Sequence, residues 1–271
     1  MSRTKKHRIF VVGNEKGGAG KTTCSMHLIV GLLDRGYKVA SIDTDSRQHS
    51  LTTYINNRKE YNQKNPKSRV AMPLHFHLKE SVHKLLEEKN KHDQIQFDQA
   101  FNLAKKHADY IVIDTPGSHT HLSCIAHSYA DTVITPVNDS FVDLDVIAKI
   151  DTDSLEISKP SIYSQMLWEQ KMERAERDKG TIDWVVVRNR LSNLDAKNKR
   201  NVSDALTKLA KRISFRVIPG FSERVVFREL FPYGLTVLDL KKANFIKSLS
   251  ISHVAARQEL RAFLDSLDIR S

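Results

Sequence analysis

The feature that most constrains this chain is a short apolar run, Ile9 to Val12, that leads straight into Gly13-Asn14-Glu15-Lys16-Gly17-Gly18-Ala19-Gly20-Lys21-Thr22-Thr23 and then into a helical stretch. A strand, a glycine-rich loop and a helix in that order form an anion cradle. The glycines at 17, 18 and 20 let backbone N–H groups converge, and the helix adds about half a positive charge at its N-terminus. Lys21 is placed to reach the β- and γ-phosphates of a nucleotide, and Thr22 to give its hydroxyl to Mg²⁺. Gly17, Gly18, Ala19, Gly20, Lys21, Thr22 and Thr23 are therefore the nucleotide-binding candidates.

The rest of the chain repeats the alternation that this opening begins. Ile9 to Val12, Val39 to Asp43, Tyr110 to Asp114, Thr132 to Val137, Asp183 to Val187 and Phe215 to Ile218 are short, Val- and Ile-rich and mostly continuous. They predict buried strands. Helical spacing falls between them at Thr22 to Arg35, Ser50 to Tyr61, Ser81 to Lys89, Phe97 to His107, Asp195 to Arg212 and His253 to Leu267, and Gln165 to Gly180 reads as a charged helix beside the sheet. The pattern predicts an α/β fold of the P-loop NTPase type, a mainly parallel central sheet flanked by helices on both faces. Residues 1–271 read as one domain, with a peripheral excursion carrying one helix at about 62–93.

Two carboxylate stations support the phosphate site. Asp43 and Asp45 close the second strand and Asp114 the third, and ligands in open α/β sheets lie beyond the carboxyl ends of strands. Asp114, after four apolar residues, matches an aspartate that holds Mg²⁺ through water, with Gly117 giving a mobile loop near the γ-phosphate. No Asn/Thr-Lys-x-Asp guanine-reading pattern stands at the matching place, so ATP is favoured.

The strict P-loop pattern requires glycine where Glu15 stands, and a lysine, Lys16, lies inside the loop instead. With KGGAGKTT, the deviant Walker A motif, the chain resembles the ParA- and MinD-like ATPases. That resemblance implies that Lys16 crosses a dimer interface to touch the partner's nucleotide, that Asp45 orients the attacking water and that Asp43 supports the magnesium shell. It also makes Asn189 a contact to adenine, with Pro219 and Gly220 as a second wall; the other reading of Asn189 is a residue that closes a strand.

Lys and Arg number 43 against 32 for Asp and Glu, a net charge of +11 that favours an anionic partner. From Arg188 to Arg228 eleven basic residues face three acidic ones, a local +8. Lys197, Lys199, Arg200, Lys211, Arg212 and Arg224 are the candidates for DNA contact. No helix-turn-helix, zinc spacing or aromatic RNA platform accompanies them, so the binding expected is independent of base sequence; the competing reading is an ordinary solvated helix face.

Further stretches, Asn138 to Asp143, Lys159 to Ser164, Arg228 to Gly234 and His253 to Arg261, resemble the MipZ family within this group. The resemblance runs from Phe10 to about Leu267 and is weakest between Asn62 and Asp93. It implies a weak ATPase with ATP and Mg²⁺ as cofactors, and an ATP-bound homodimer on non-specific chromosomal DNA. It further implies recruitment by a ParB-like protein and inhibition of FtsZ assembly that sets the division site. A ParA-type segregation ATPase and a MinD-like membrane-cycling ATPase are the alternatives.

No apolar run approaches the roughly 18 residues needed to span a bilayer, and the start, MSRTKKHRIFVVG, lacks a secretory apolar stretch. A cytoplasmic, nucleoid-associated protein without membrane contact is expected. The apolar stripe from Ile251 to Leu267 is interleaved with Glu259, Asp265 and Asp268 and predicts core packing rather than a lipid anchor. Cys24 and Cys124 are expected as small buried side chains. His119, His121 and His127 do not have the spacing of a structural zinc site, and Asp151-Thr152-Asp153 repeats the spelling of residues 43–45 without a preceding strand run.

Overall fold

Continuous Val and Ile runs with no polar face need cover on both sides, and the fold supplies it. The structure, a computed structural model, describes residues 7–79, 81–150, 157–191, 196–246 and 248–269, with the side chains at 141, 150, 157–158 and 196–199 outside that description. The 151–153 repeat and Asp195 lie outside the described residues.

The chain runs β1 (Arg8–Val12), α1 (Lys21–Asp34), β2 (Val39–Asp43), α2 (Ser50–Lys64), β3 (Leu74–His77), α3 (Leu86–His107), β4 (Tyr110–Asp114), α4 (His121–Ser128) and β5 (Thr132–Asn138). It continues with α5 (Phe141–Leu144), a hairpin of β6 (Ala148–Ile150) and β7 (Ile157–Pro160), α6 (Ile162–Asp178), β8 (Asp183–Asn189) and α7 (Ala196–Ile213). β9 (Arg216–Ile218), α8 (Val225–Leu230), a 3₁₀ turn at Phe231–Tyr233 and α9 (Ile251–Asp265) close it. Seven parallel strands form one sheet in the order β3-β2-β4-β1-β5-β8-β9, with β1 between β4 and β5.

Alternate residues of one strand feed opposite cores, as a period of two requires. Phe10 and Val12 of β1, with Tyr110 and Val112 of β4, pack under α1, α2, α8 and α9. Val11, Ile111 and Ile113 face α3, α4, α6 and α7. Leu260, Phe263, Leu264 and Leu267 are buried in the first core, as expected of that stripe, whereas its N-terminal members Ile251 and Val254 are exposed, which corrects the packing role expected of them. Both cysteines are free; Cys24 is buried and Cys124 half-buried. No described helix is long and apolar enough to cross a membrane.

The segment expected as a peripheral excursion instead places Leu74–His77 on the sheet edge, pairing Ala40 with Leu74 through Asp43 with His77. Its residues are exposed or half-buried, the natural state of an edge strand and the reason no apolar run announces it. The two helices expected at Ser81 to Lys89 and Phe97 to His107 are one, α3, of 22 residues whose N-terminal half is largely solvent-facing.

A buried ion pair ties α2 to the C-terminal third. Arg58, 1% exposed, donates from both terminal nitrogens to Asp239 at 2.9 and 2.8 Å and also to the carbonyls of Ala71 and Gly234. Asp239→Ala leaves that guanidinium buried without its counter-charge and is expected to cost about 3–5 kcal/mol, read by urea unfolding against wild type.

Candidate nucleotide site

The cradle forms where β1 stops and α1 begins. Gly13 N donates to Ile134 O at 3.0 Å, and buried Asn14 donates to Pro136 O while accepting from Lys16 N, each at 2.6 Å. Gly20, the residue before α1, has φ +96°, and a Cβ there would stand 2.1 Å from Asn189 Nδ2, so backbone conformation and space both demand glycine. Asn189 Nδ2 donates to Ala19 O at 3.0 Å. Asn189, at the end of β8, thus braces the loop.

A cleft of about 280 Å³ opens over the loop, lined by Gly17, Gly18, Gly20, Lys21, Thr22 and Thr23, and facing them by Asp45, Gln48, Thr115, Gly117, Arg190 and Phe231. At the end where Pro219 was expected as a wall, the lining is Arg190 and Phe231; Pro219 is exposed beyond β9. A second cleft, of about 470 Å³, continues past Gly17 and Gly117 and is bounded by Asp45, Arg47, Lys89, Asp93 and His119.

Asp114 is the carboxylate at the floor. Thr22 Oγ1 donates to its Oδ2 at 2.9 Å and Ser25 Oγ to its Oδ1 at 2.8 Å. Burial, then the charge of Asp43 on the neighbouring strand, push its pKa up to about 7, against the pull of the two hydroxyls and Lys21. Burial holds Lys21 below the ordinary lysine range, partly offset by Asp114 and Asp45. Its Nζ donates to Lys16 O at 3.0 Å. A hydroxyl and a carboxylate facing each other at the floor of the cradle are the hard oxygen donors that Mg²⁺ takes beside phosphate, so Thr22 and Asp114 fit that ion.

The two other acids are used differently. Asp43 accepts from Asp45 N at 3.1 Å and, on its other oxygen, from Thr52 N and Oγ1 at 2.9 and 2.7 Å. Both oxygens thus brace the turn into α2, from the strand beside that of Asp114. Asp45 accepts from Arg47 N and Gln48 N on Oδ1 alone and lines the cleft.

Lys16 points elsewhere. Its Nζ pairs with Asp143 and donates to Val142 O at 3.3 Å, in the turn that carries α5.

On α7, Val202, Ala205, Leu206 and Leu209 are buried, leaving Arg200, Lys208, Lys211 and Arg212 on the exposed side. The side chains of Lys197 and Lys199 lie outside the described residues. Arg224 is held bidentately by Glu259, at 2.6 and 3.1 Å, so its guanidinium locks the 221–224 loop to α9 and does not form part of the basic face. Arg188 and Arg216 are likewise paired, with Asp139 and Asp183.

Three residues of the site were not anticipated. Ser25 lies three positions after Thr22 on one helix face, a spacing that marks it as a second ligand of Asp114. Arg190 and Phe231 come from a strand end and a 3₁₀ turn, and nothing in local sequence points them at the cleft.

A strand, a phosphate loop and a helix whose threonine meets a strand-end aspartate define a P-loop ATPase, here with the deviant loop lysine. Residues 8–271 match the family described as ATPase MipZ. The chain belongs to that family and is an ATPase. Searching curated protein sequences yields no match. Among solved structures, a McdA variant from Cyanothece in complex with ATP is similar with a TM-score of 0.65 at 17% identity, covering 98% of each chain. MinD from Pyrococcus horikoshii OT3, complexed with Mg-ADP, gives 0.59 at 18% identity over 97% of this chain and 96% of that one. The MinC:MinD cell division complex of Aquifex aeolicus gives 0.53 at 19% identity over 97% of this chain and 98% of that one. These likenesses concern the fold.

Beneath the cradle lies a buried hydrogen-bond chain. Trp184 Nε1, which can only donate, bonds Thr135 Oγ1 at 3.0 Å; Thr135 bonds Tyr163 OH at 3.1 Å; Tyr163 bonds His127 Nε2 at 3.2 Å. His127 Nδ1 donates to Ser123 O at 2.7 Å, and in the neutral ring that burial favours, Nε2 accepts from Tyr163 OH. Burial lowers the His127 pKa to about 4. Because the unfolded chain takes up that proton first, its contribution is complete above pH ~6.5 and is lost as pH falls toward 4. Relative to His127→Gln, wild type is expected to lose about 2 kcal/mol between pH 7 and pH 5 in urea unfolding.

Proposed function

We propose that this protein is an ATP-dependent dimerising switch. In this reading the ATP-bound dimer holds DNA without regard to sequence, a ParB-like protein recruits the molecule, and inhibition of FtsZ assembly by the dimer sets the division site. The observation that carries the reading is the destination of two lysines only five residues apart. Lys21 serves its own cradle, whereas the Lys16 amine is directed out of it, onto Asp143 and Val142 O. An amine on the rim of a phosphate site that rests on Asp143 can exchange that partner for the phosphates of a facing copy.

Hydrolysis in this scheme is phosphoryl transfer to water, where the protein positions the γ-phosphate and neutralises charge that develops on it. Backbone N–H groups of 17–20 and the Lys21 amine hold the phosphates, Asp45 orients the attacking water, and the partner's copy of Lys16 completes the positive wall. Thr22 directly, and Asp114 through water, would hold Mg²⁺, which shields the phosphate oxygens when bound. A single subunit lacks that last amine and is a poor enzyme.

The same step governs DNA. One α7 face offering about three phosphate contacts binds near or weaker than ~10⁻⁴ M. Two faces fixed in one dimer act at a mutual effective concentration of about millimolar, which raises affinity by roughly 10² or more. ATP-driven pairing is then sufficient to switch DNA binding on. Membrane cycling in the manner of MinD finds little support in α9, where Leu260, Phe263 and Leu264 are buried and only Ile251 and Val254 stand exposed.

Lys16→Ala is expected to keep measurable ATP binding yet sediment as a monomer with ATP and lose DNA binding; a dimeric Lys16→Ala protein would defeat the assignment. Polymerisation of FtsZ is expected to fall in the presence of the ATP-bound protein and to be unaffected by the ADP form. Unchanged polymerisation would favour a cargo-segregating ParA-type role.

A further inference from the structure

Glu15 stands where the common P-loop pattern has glycine, and the nucleotide site gives its side chain no part. Its Oε1 lies 3.3 Å from Nδ1 of His119, in the loop between β4 and α4. That loop is pinned at one end by Thr115, whose N–H and hydroxyl both donate to Val12 O at 3.1 and 2.9 Å. At the other end Thr120 caps α4 by accepting from Ser123 N at 3.1 Å. Between the pins passes Gly117, where a Cβ would stand 3.3 Å from Lys21 Nζ and 3.5 Å from Gly17 N. Gly117 is therefore the wall that faces Lys21 across the phosphate end of the cleft.

We propose that Glu15 and His119 form a clasp that holds this wall at a fixed distance from the P-loop, making both of them positioning residues for ATP hydrolysis. The inference rests on the P-loop cleft being the site of ATP turnover. The ring's orientation supports it. His119 Nε2 lies 3.6 Å from Cys124 Sγ, while Nδ1 faces Glu15 Oε1, and since a carboxylate oxygen can only accept, Nδ1 is the donor in the clasp.

The pair is placed to act on rate rather than on stability. The His119 side chain is 53% exposed, and exposed pairs of this kind add little to global folding energy. A shift of about 1 Å in a group that positions a reacting phosphate, by contrast, lowers turnover strongly. Neither residue touches the phosphates in this scheme; each works through Gly117.

A double-mutant cycle on turnover tests the clasp, with Glu15→Ala, His119→Ala, the double variant and Glu15→Gln compared by steady-state phosphate release, fluorescent-ATP affinity and thermal unfolding. Each alanine variant is expected to lower kcat about three- to tenfold with ATP affinity and melting temperature nearly unchanged. The double variant should be no slower than the worse single one, and Glu15→Gln, which keeps the acceptor oxygen, should recover part of the rate. An unchanged kcat in His119→Ala, losses that multiply in the double variant, or a loss confined to ATP affinity would each overturn the clasp. If Lys21→Ala turns over ATP as fast as wild type, the assignment of the cleft fails instead.

Discussion

The site depends first on one buried carboxylate. Asp114 receives hydroxyl donors from Thr22 and Ser25 on α1, while its backbone oxygen receives both the N–H and the hydroxyl of Thr44, at 3.0 and 2.9 Å, from the loop after β2. Strand, helix and acid-bearing loop therefore meet at one residue. Because neighbouring parallel strands put Asp43 in register with Asp114, its charge adds to the burial that makes Asp114 costly to ionise, and the hydroxyls and Lys21 offset that cost. The floor of the cradle is consequently short of positive charge, which suits a site whose substrate arrives with a cation.

Around that floor the loop separates its two amines by geometry. The backbone turns through Gly18 and Gly20, both at positive φ, and puts Lys21 over the cradle, while Lys16 leaves on the side of α5. Asn14 and Asn189 hold the loop from below and behind, one through Pro136 O and the other through Ala19 O. The rigidity of the loop thus comes from side-chain amides satisfied by backbone carbonyls, with the hydrogen-bond chain from Trp184 to His127 filling the space beneath it.

Much of this was legible in the sequence because it rests on local patterns. The buried strands were readable from apolar runs, and all six expected ones appear within two residues of their predicted limits. The P-loop was readable from order and spacing. What escaped was non-local. The short helix α4 has no long periodicity to detect, whereas β3, an edge strand without an apolar run, shows itself only in the alternation of His75 and His77 with Phe76 and Leu78. Arg224 reads as free positive charge until Glu259, 35 positions away, is folded against it. Asp43 and Asn189 stand at the expected strand ends, and the bonds from Thr52 to Asp43 and from Asn189 Nδ2 to Ala19 O come from partners no local pattern names. Charge and spacing nominate residues; the partner that occupies each atom decides what remains for ligand.

The central claim is that the Lys16 amine exchanges Asp143 for a nucleotide held by a second copy of the chain. A crystal structure of the protein loaded with a non-hydrolysable ATP analogue tests this most directly. The account predicts two molecules facing each other, with each Lys16 Nζ within hydrogen-bond distance of the other's phosphates. A solitary nucleotide-loaded molecule in which Lys16 still rests on Asp143 would contradict it.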